Sequence, residues 1–131
     1  MIDHISIGVR DLGASARFYE VVLAPLGFKR LVERPAMVGF GKTYPEVWLN
    51  ARPAMPLVAA DTGLHVCLRA RSTEAVDAFH RAAIANGGKD DGAPGMRAAA
   101  MVAYYGAFIC DPDGNRVEAM TVPKSGSDPW V

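Results

Sequence analysis

This chain of 131 residues is poor in the two side chains that most often carry chemistry, with three histidines and two cysteines. Cys67 and Cys110 each sit inside an apolar run and make no CxxC pair, which excludes a disulfide-built scaffold. They read as buried thiols acting as small hydrophobes in a reduced, cytoplasmic protein. Excess charge is lacking as well. Fourteen basic residues balance fourteen acidic ones and the arginines are scattered, so no basic field is present to attract nucleic acid. No apolar run approaches the roughly 20 residues of a membrane-spanning helix. The chain also enters a patterned strand at once, without a charged-then-apolar leader.

What is present is ordinary globular composition, 50% hydrophobic and 21% charged, in a length that suits one domain, 1–131. From Ile2 to Val9 the residues alternate. Ile5, Ile7 and Val9 take one face and His4, Ser6 and Gly8 the other, the period of a strand lying on a core. Asp11 then offers a helix cap, and Leu12, Ala16, Tyr19, Leu23 and Leu26 follow at helical spacing until Pro25 and Gly27 stop it. Three short strands are expected at 28–33, 36–41 and 46–50. After a linker (52–62) rich in alanine and proline, the order restarts. Leu64, Val66 and Leu68 alternate with His65, Cys67 and Arg69. Ser72 and Thr73 can cap a helix carrying Val76, Phe79 and Ala83, and Asn86-Gly87-Gly88 ends it. A weak strand near 88–92 and a glycine-rich stretch to Gly95 precede strands at 103–110 and 115–122, joined by an Asp111-Pro112-Asp113-Gly114-Asn115 turn. A calcium-binding hand starting at Asp111 would need an acid where Val122 stands, so the motif is read as a turn.

The pattern is therefore two βαβββ modules, about 1–51 and 63–122, with a tail at 123–131. The fold class is α+β, the two curved sheets forming a cleft and the helices covering the other face. Alternation puts His4 and His65 on the cleft face of corresponding strands. In the last strand Arg116, Glu118 and Met120 face the same way. Two imidazoles and a carboxylate converging there make a facial metal-ligand set with open positions. The same residues also fit two partly buried, hydrogen-bonded histidines and a surface glutamate.

Ile2-Asp3-His4-Ile5 with Asp11-Leu12, Ser15-x-x-Phe18-Tyr19 through Leu26-Gly27-Phe28, Gly63-Leu64-His65-Val66, and Phe108-Ile109-Cys110-Asp111-Pro112-Asp113-Gly114-Asn115-x-x-Glu118 occur in this order. Together they resemble the vicinal oxygen chelate superfamily of glyoxalases, bleomycin-resistance proteins and extradiol dioxygenases. The resemblance implies paired βαβββ modules and a divalent metal in the cleft, with His4, His65 and Glu118 on three ligand positions. Glyoxalase I proteins take a fourth ligand from the end of the first module, where this chain has Trp48. Tryptophan cannot ligate, and Glu46 is two residues away. The arrangement is closer to the two-histidine, one-carboxylate set of the extradiol dioxygenases.

The implied function is a lyase- or dioxygenase-type enzyme using Zn, Ni, Mn or Fe on a small substrate chelated through vicinal oxygens. The alternative is a metal-free binder of the drug-sequestering type. Glu118, if it dissociates, and Tyr104 or Tyr105 are the expected catalytic groups. Trp48, Arg69 and Arg116 are expected substrate contacts, and His80 an exposed bystander. Open sheet edges and two-module symmetry suggest a homodimer, on which Trp130 of the tail could dock.

Overall fold

The computed structural model describes residues 1–99 and 101–123; Trp130 lies outside them. Strand β1 (Ile5–Val9) leads to helix α1 (Leu12–Leu23), and a 3₁₀ turn (Ala24–Leu26) leads on to β2 (Lys29–Arg34), β3 (Met37–Gly41) and β4 (Pro45–Ala51). The second module repeats this as β5 (Val66–Arg69), α2 (Thr73–Ala85), β6 (Lys89–Arg97), β7 (Tyr104–Cys110) and β8 (Arg116–Thr121). The two four-stranded sheets have equivalent orders, β1-β4-β3-β2 and β5-β8-β7-β6. In each, the first strand runs parallel beside the last and forms an edge.

Local chemistry accounts for the elements. Asp11 accepts from the Ala14 N–H at 3.0 Å and Ser72 from the Ala75 N–H at 3.1 Å, capping the two helices. Gly27 closes the first helical segment with φ +84°, a left-handed conformation costly for any side chain with a Cβ. The apolar stripes then bury themselves. Phe18, Tyr19, Val22 and Leu23 of α1 and Val76, Phe79 and Ala83 of α2 join Ile7, Val9, Phe40, Val47, Leu49, Ala107, Ile109, Val117 and Ala119 in one core. Each large side chain so buried contributes about 1.5–3 kcal/mol.

The modules are tied together by the β7–β8 turn. Asp111, buried, accepts from the Tyr19 hydroxyl at 2.7 Å, and Asp113 accepts from Arg10 Nε at 2.9 Å. Asn115 Nδ2 donates to the Gly8 carbonyl at 3.0 Å. The motif is a turn, as expected, and it is also the bolt between the two halves.

Four expectations need correction. Both β1 and β5 begin one residue after their histidine, so His4 and His65 sit at strand mouths rather than within the ladders. Gly92 to Gly95 is not a loop: it belongs to β6, which absorbs its glycines through two register shifts. Cys67 is exposed and Cys110 half-buried, because each lies on the sheet face that no helix covers. His80 is only 15% exposed and pairs with Asp90 at 2.9 Å.

Candidate metal centre

Glu118 occupies the middle of the second sheet. Cys67 lies opposite it on β5 and Phe108 opposite it on β7. Three strands thus surround the carboxylate, and the side chain is 4% exposed. Its Oε1 lies 3.0 Å from His65 Nε2, the ring N–H donating and the carboxylate accepting. Its Oε2 is buried and has no hydrogen-bond partner among the described residues. An orphaned buried carboxylate oxygen is costly unless something positive meets it.

The surroundings favour neutral donors. A side chain at Gly106 would place its Cβ 3.1 Å from Glu118 Oε2 and 2.8 Å from the Tyr104 ring, so glycine keeps this floor open. Desolvation, followed by the neighbouring Glu118 carboxylate, pushes the Tyr104 hydroxyl up to about 12. Cys67 is raised to about 12 by the same two causes in the same order, its sulfur lying against Glu118 although the residue as a whole is exposed. Both groups hold their protons at neutral pH. The His65 ring, 45% exposed, packs edge-on to Phe108 with centroids 5.7 Å apart.

His4 stands apart from this pair. It is 52% exposed and its Nδ1 lies 2.7 Å from Asp3 Oδ1. It does share a cavity of about 520 Å³ with His65, Cys67, Arg69 and Glu46, which runs between the open edges of β1 and β5. Among the described residues no three histidine, cysteine or acidic side chains group closely enough to hold an ion. The ligand fit is therefore partial. His65 and Glu118 are preassembled, with an oxygen to spare, and His4 faces a cavity that His65 also lines.

Trp48 is the register equivalent of Glu118: it lies opposite Ser6 in the parallel pair β1–β4 as Glu118 lies opposite Cys67 in β5–β8. Its indole folds over Gly39, where a Cβ would come within 2.9 Å of the ring, and it lines neither cavity beside His65. Tyr105 points away from the cleft and donates to Asp77 on α2 at 2.6 Å. That leaves Tyr104 as the member of the pair beside Glu118. Arg69 lines the His4–His65 cavity. Arg116 lines a second cavity of about 460 Å³ with His65 and Phe108. It is already held there by Asp91, at 2.9 and 3.0 Å, and by the Ala60 carbonyl at 2.7 Å.

Arg97 also lines this second cavity, its guanidinium 5.7 Å from the Phe108 ring centre. Sequence reasoning missed it, because the glycines before it conceal the alternation of β6. The signal that could have found it is the pairing of that strand with Tyr104-Tyr105.

Residues 1–119 match the family model described as Glyoxalase/Bleomycin resistance protein/Dioxygenase superfamily. A glyoxalase/bleomycin resistance protein from Albidiferax ferrireducens T118 has a similar structure, with TM-score 0.80 and 32% identity over 90% of this chain and 96% of that one. A glyoxalase/bleomycin resistance protein/dioxygenase family enzyme from Burkholderia phytofirmans PsJN gives TM-score 0.70 at 23% identity, covering 93% and 98% of the two chains. A glyoxalase-related enzyme from Fulvimarina pelagi gives 0.68 at 18%, covering 92% and 86%. At these last two identities the likeness concerns the fold alone. No curated protein matches the chain significantly. The chain belongs to the Glyoxalase/Bleomycin resistance protein/Dioxygenase superfamily.

Proposed function

We propose that this superfamily member is a divalent-metal-dependent enzyme acting on a small substrate with vicinal oxygens. The observation that carries the reading is the His65–Glu118 pair, 3.0 Å apart, whose second carboxylate oxygen is buried without a partner. A cation would satisfy that oxygen, with the protonated Tyr104 and Cys67 beside the carboxylate. His65 and Glu118 would hold the ion, with His4 as a third donor from the other side of the shared cavity. When bound, the ion supplies a Lewis acid able to polarise two adjacent substrate oxygens. Imidazole–carboxylate sets suit Zn²⁺, Ni²⁺, Mn²⁺ and Fe²⁺ alike.

The chain's own residues supply the rest. Tyr104, held protonated beside Glu118, is suited to donate a hydrogen bond or proton rather than to act as a base. Phe108 walls the substrate on the His65 side. Tyr105 is committed to Asp77 and takes no part.

Metal analysis of protein purified without chelator, followed by Zn²⁺ calorimetry, tests the reading. About one equivalent per chain is expected. Glu118→Gln and His65→Ala should weaken binding about a hundredfold or more, with a smaller loss for His4→Ala. A wild type that stays metal-free after reconstitution with each of the four ions would sink the proposal. One observation favours a metal-free binding protein instead: among the described residues no three donors converge. The same calorimetry separates the two readings.

A further inference from the structure

We propose that Arg97 anchors a carboxylate on the substrate, so that the molecule spans from the His65–Glu118 pair to a monoanion site on β6. This rests on the reading of that pair as the reacting end.

The register places Arg97 on the correct face. It lies opposite Tyr104, Gly95 lies opposite Gly106 and Gly92 opposite Phe108, which itself lies opposite Glu118. Arg97 therefore belongs to the same surface as the candidate metal ligands. The two glycines of β6 clear its path. A Cβ on Gly95 would stand 3.3 Å from Arg97 Nη1, and one on Gly92 would stand 3.3 Å from Nη2 and 3.0 Å from Phe108. The side chain thus lies along bare backbone with its guanidinium at the Phe108 ring, a cation–π placement that holds it in position. A hydrogen bond from Nη2 to the Ala93 carbonyl secures it further.

Charge then selects the ligand. Of the acids lining this cavity, Asp91 is neutralised by Arg116 and Asp61 is exposed on the 60s loop. Among the described residues Arg97 makes no ion pair, unlike Arg10, Arg30 and Arg116. Most of its five N–H donors remain for a ligand, in a fork that matches a carboxylate. A lone guanidinium balances a monoanion. A phosphate dianion would call on Arg116 too, and Asp91 already occupies it. Both groups border one ring: the His65 ring and the Arg97 guanidinium each lie 5.7 Å from the centre of the Phe108 ring. A small molecule beside Phe108, with vicinal oxygens at one end and a carboxylate at the other, meets both.

The test uses 3,4-dihydroxybenzoate and its neutral counterpart 3,4-dihydroxybenzamide as probes. Binding to the full chain is measured by calorimetry after Zn²⁺ reconstitution and again in EDTA. The acid is expected to bind wild type at least tenfold tighter than the amide. Arg97→Gln should remove that preference, with amide affinity unchanged, and Arg97→Lys should keep part of it. Circular dichroism confirms that both variants are folded. Equal binding of acid and amide by wild type, no binding of either, or a preference that survives in Arg97→Gln would overturn the inference. If Zn²⁺ fails to bind but an Arg97-dependent preference appears in EDTA, the anion site stands and the metal reading falls. If Zn²⁺ binds and the preference is absent, the reverse holds.

Discussion

The two modules share a topology and a register, yet the last strand of each places a different side chain at the same position. Where β8 presents Glu118 with Phe108 beside it, β4 presents Trp48 with Gly39 beside it. In module two a carboxylate is buried beneath a histidine, and a glycine floor leaves room for Tyr104 and for that carboxylate. In module one an indole fills the equivalent space by folding onto a glycine. The connections differ in the same way. The turn of module two sends Asp111, Asp113 and Asn115 into module one, whereas the Lys42–Tyr44 turn stays within its own sheet, where the Lys42 N–H donates to Glu46. Two equivalent frames thus differ by side-chain choice at a few register positions, a carboxylate in one and an indole in the other.

The largest effect on stability is expected at the bolt. Asp111 accepts four hydrogen bonds: from the Tyr19 hydroxyl, from Asn115 Nδ2, and from the backbone N–H groups of Asp113 and Asn115. Asp111→Ala removes the acceptor of all four bonds, leaving Asn115 Nδ2 only the Gly8 carbonyl, and should cost on the order of 3 kcal/mol in urea unfolding. Tyr19→Phe, which removes one donor and leaves the rest, should cost about 1 kcal/mol. Near-equal effects of the two would mean that the turn does not hold the halves together.

Next comes the division of labour itself. Trp48→Ala deletes a half-buried indole over Gly39 and should lower stability by about 2 kcal/mol. Zn²⁺ affinity should stay within twofold of wild type, in contrast to the large loss expected for Glu118→Gln. A Trp48→Ala variant that loses metal would place the β4 position, and not His4 alone, inside the site and erase the contrast with Glu118.

Much of this contrast was legible in the sequence, and the reasons for the rest are physical. Period-two alternation marked His4, His65 and Glu118 as cleft-facing, and matching the ends of the two modules set Trp48 against Glu118, as the parallel registers do. Capping residues and turn chemistry located both helices and the Asp111–Asn115 turn. Alternation fails where glycines interrupt it, so β6 read only as a weak strand near 88–92 and Arg97 went unseen. Nor does a period of two say which member of an adjacent pair faces which side. Assigning Tyr104 to the cleft and Tyr105 to Asp77 requires the cross-strand register. Contacts across the modules, such as Tyr19 with Asp111, depend on long-range packing that no local pattern encodes.

The smallest effect sharpens the electrostatic side of the comparison. Tyr104 is shifted from the ordinary 10.0 to about 12, by desolvation first and by Glu118 second. A phenol whose folded pKa is raised keeps its proton in both states below pH 10. Between 10 and 12 only the unfolded chain ionises, so its contribution to stability is full below 10 and is lost as pH rises through 12. Glu118→Gln removes the second cause and leaves the first. Ultraviolet titration of the phenolate should therefore show one tyrosine moving part of the way down toward 10 in that variant, identified by its absence in Tyr104→Phe. Trp48→Ala, on the other module, should leave that titration where it was. If Glu118→Gln leaves it unmoved as well, the Tyr104 proton is held by burial alone, and the carboxylate's influence on the second module's floor is confined to His65.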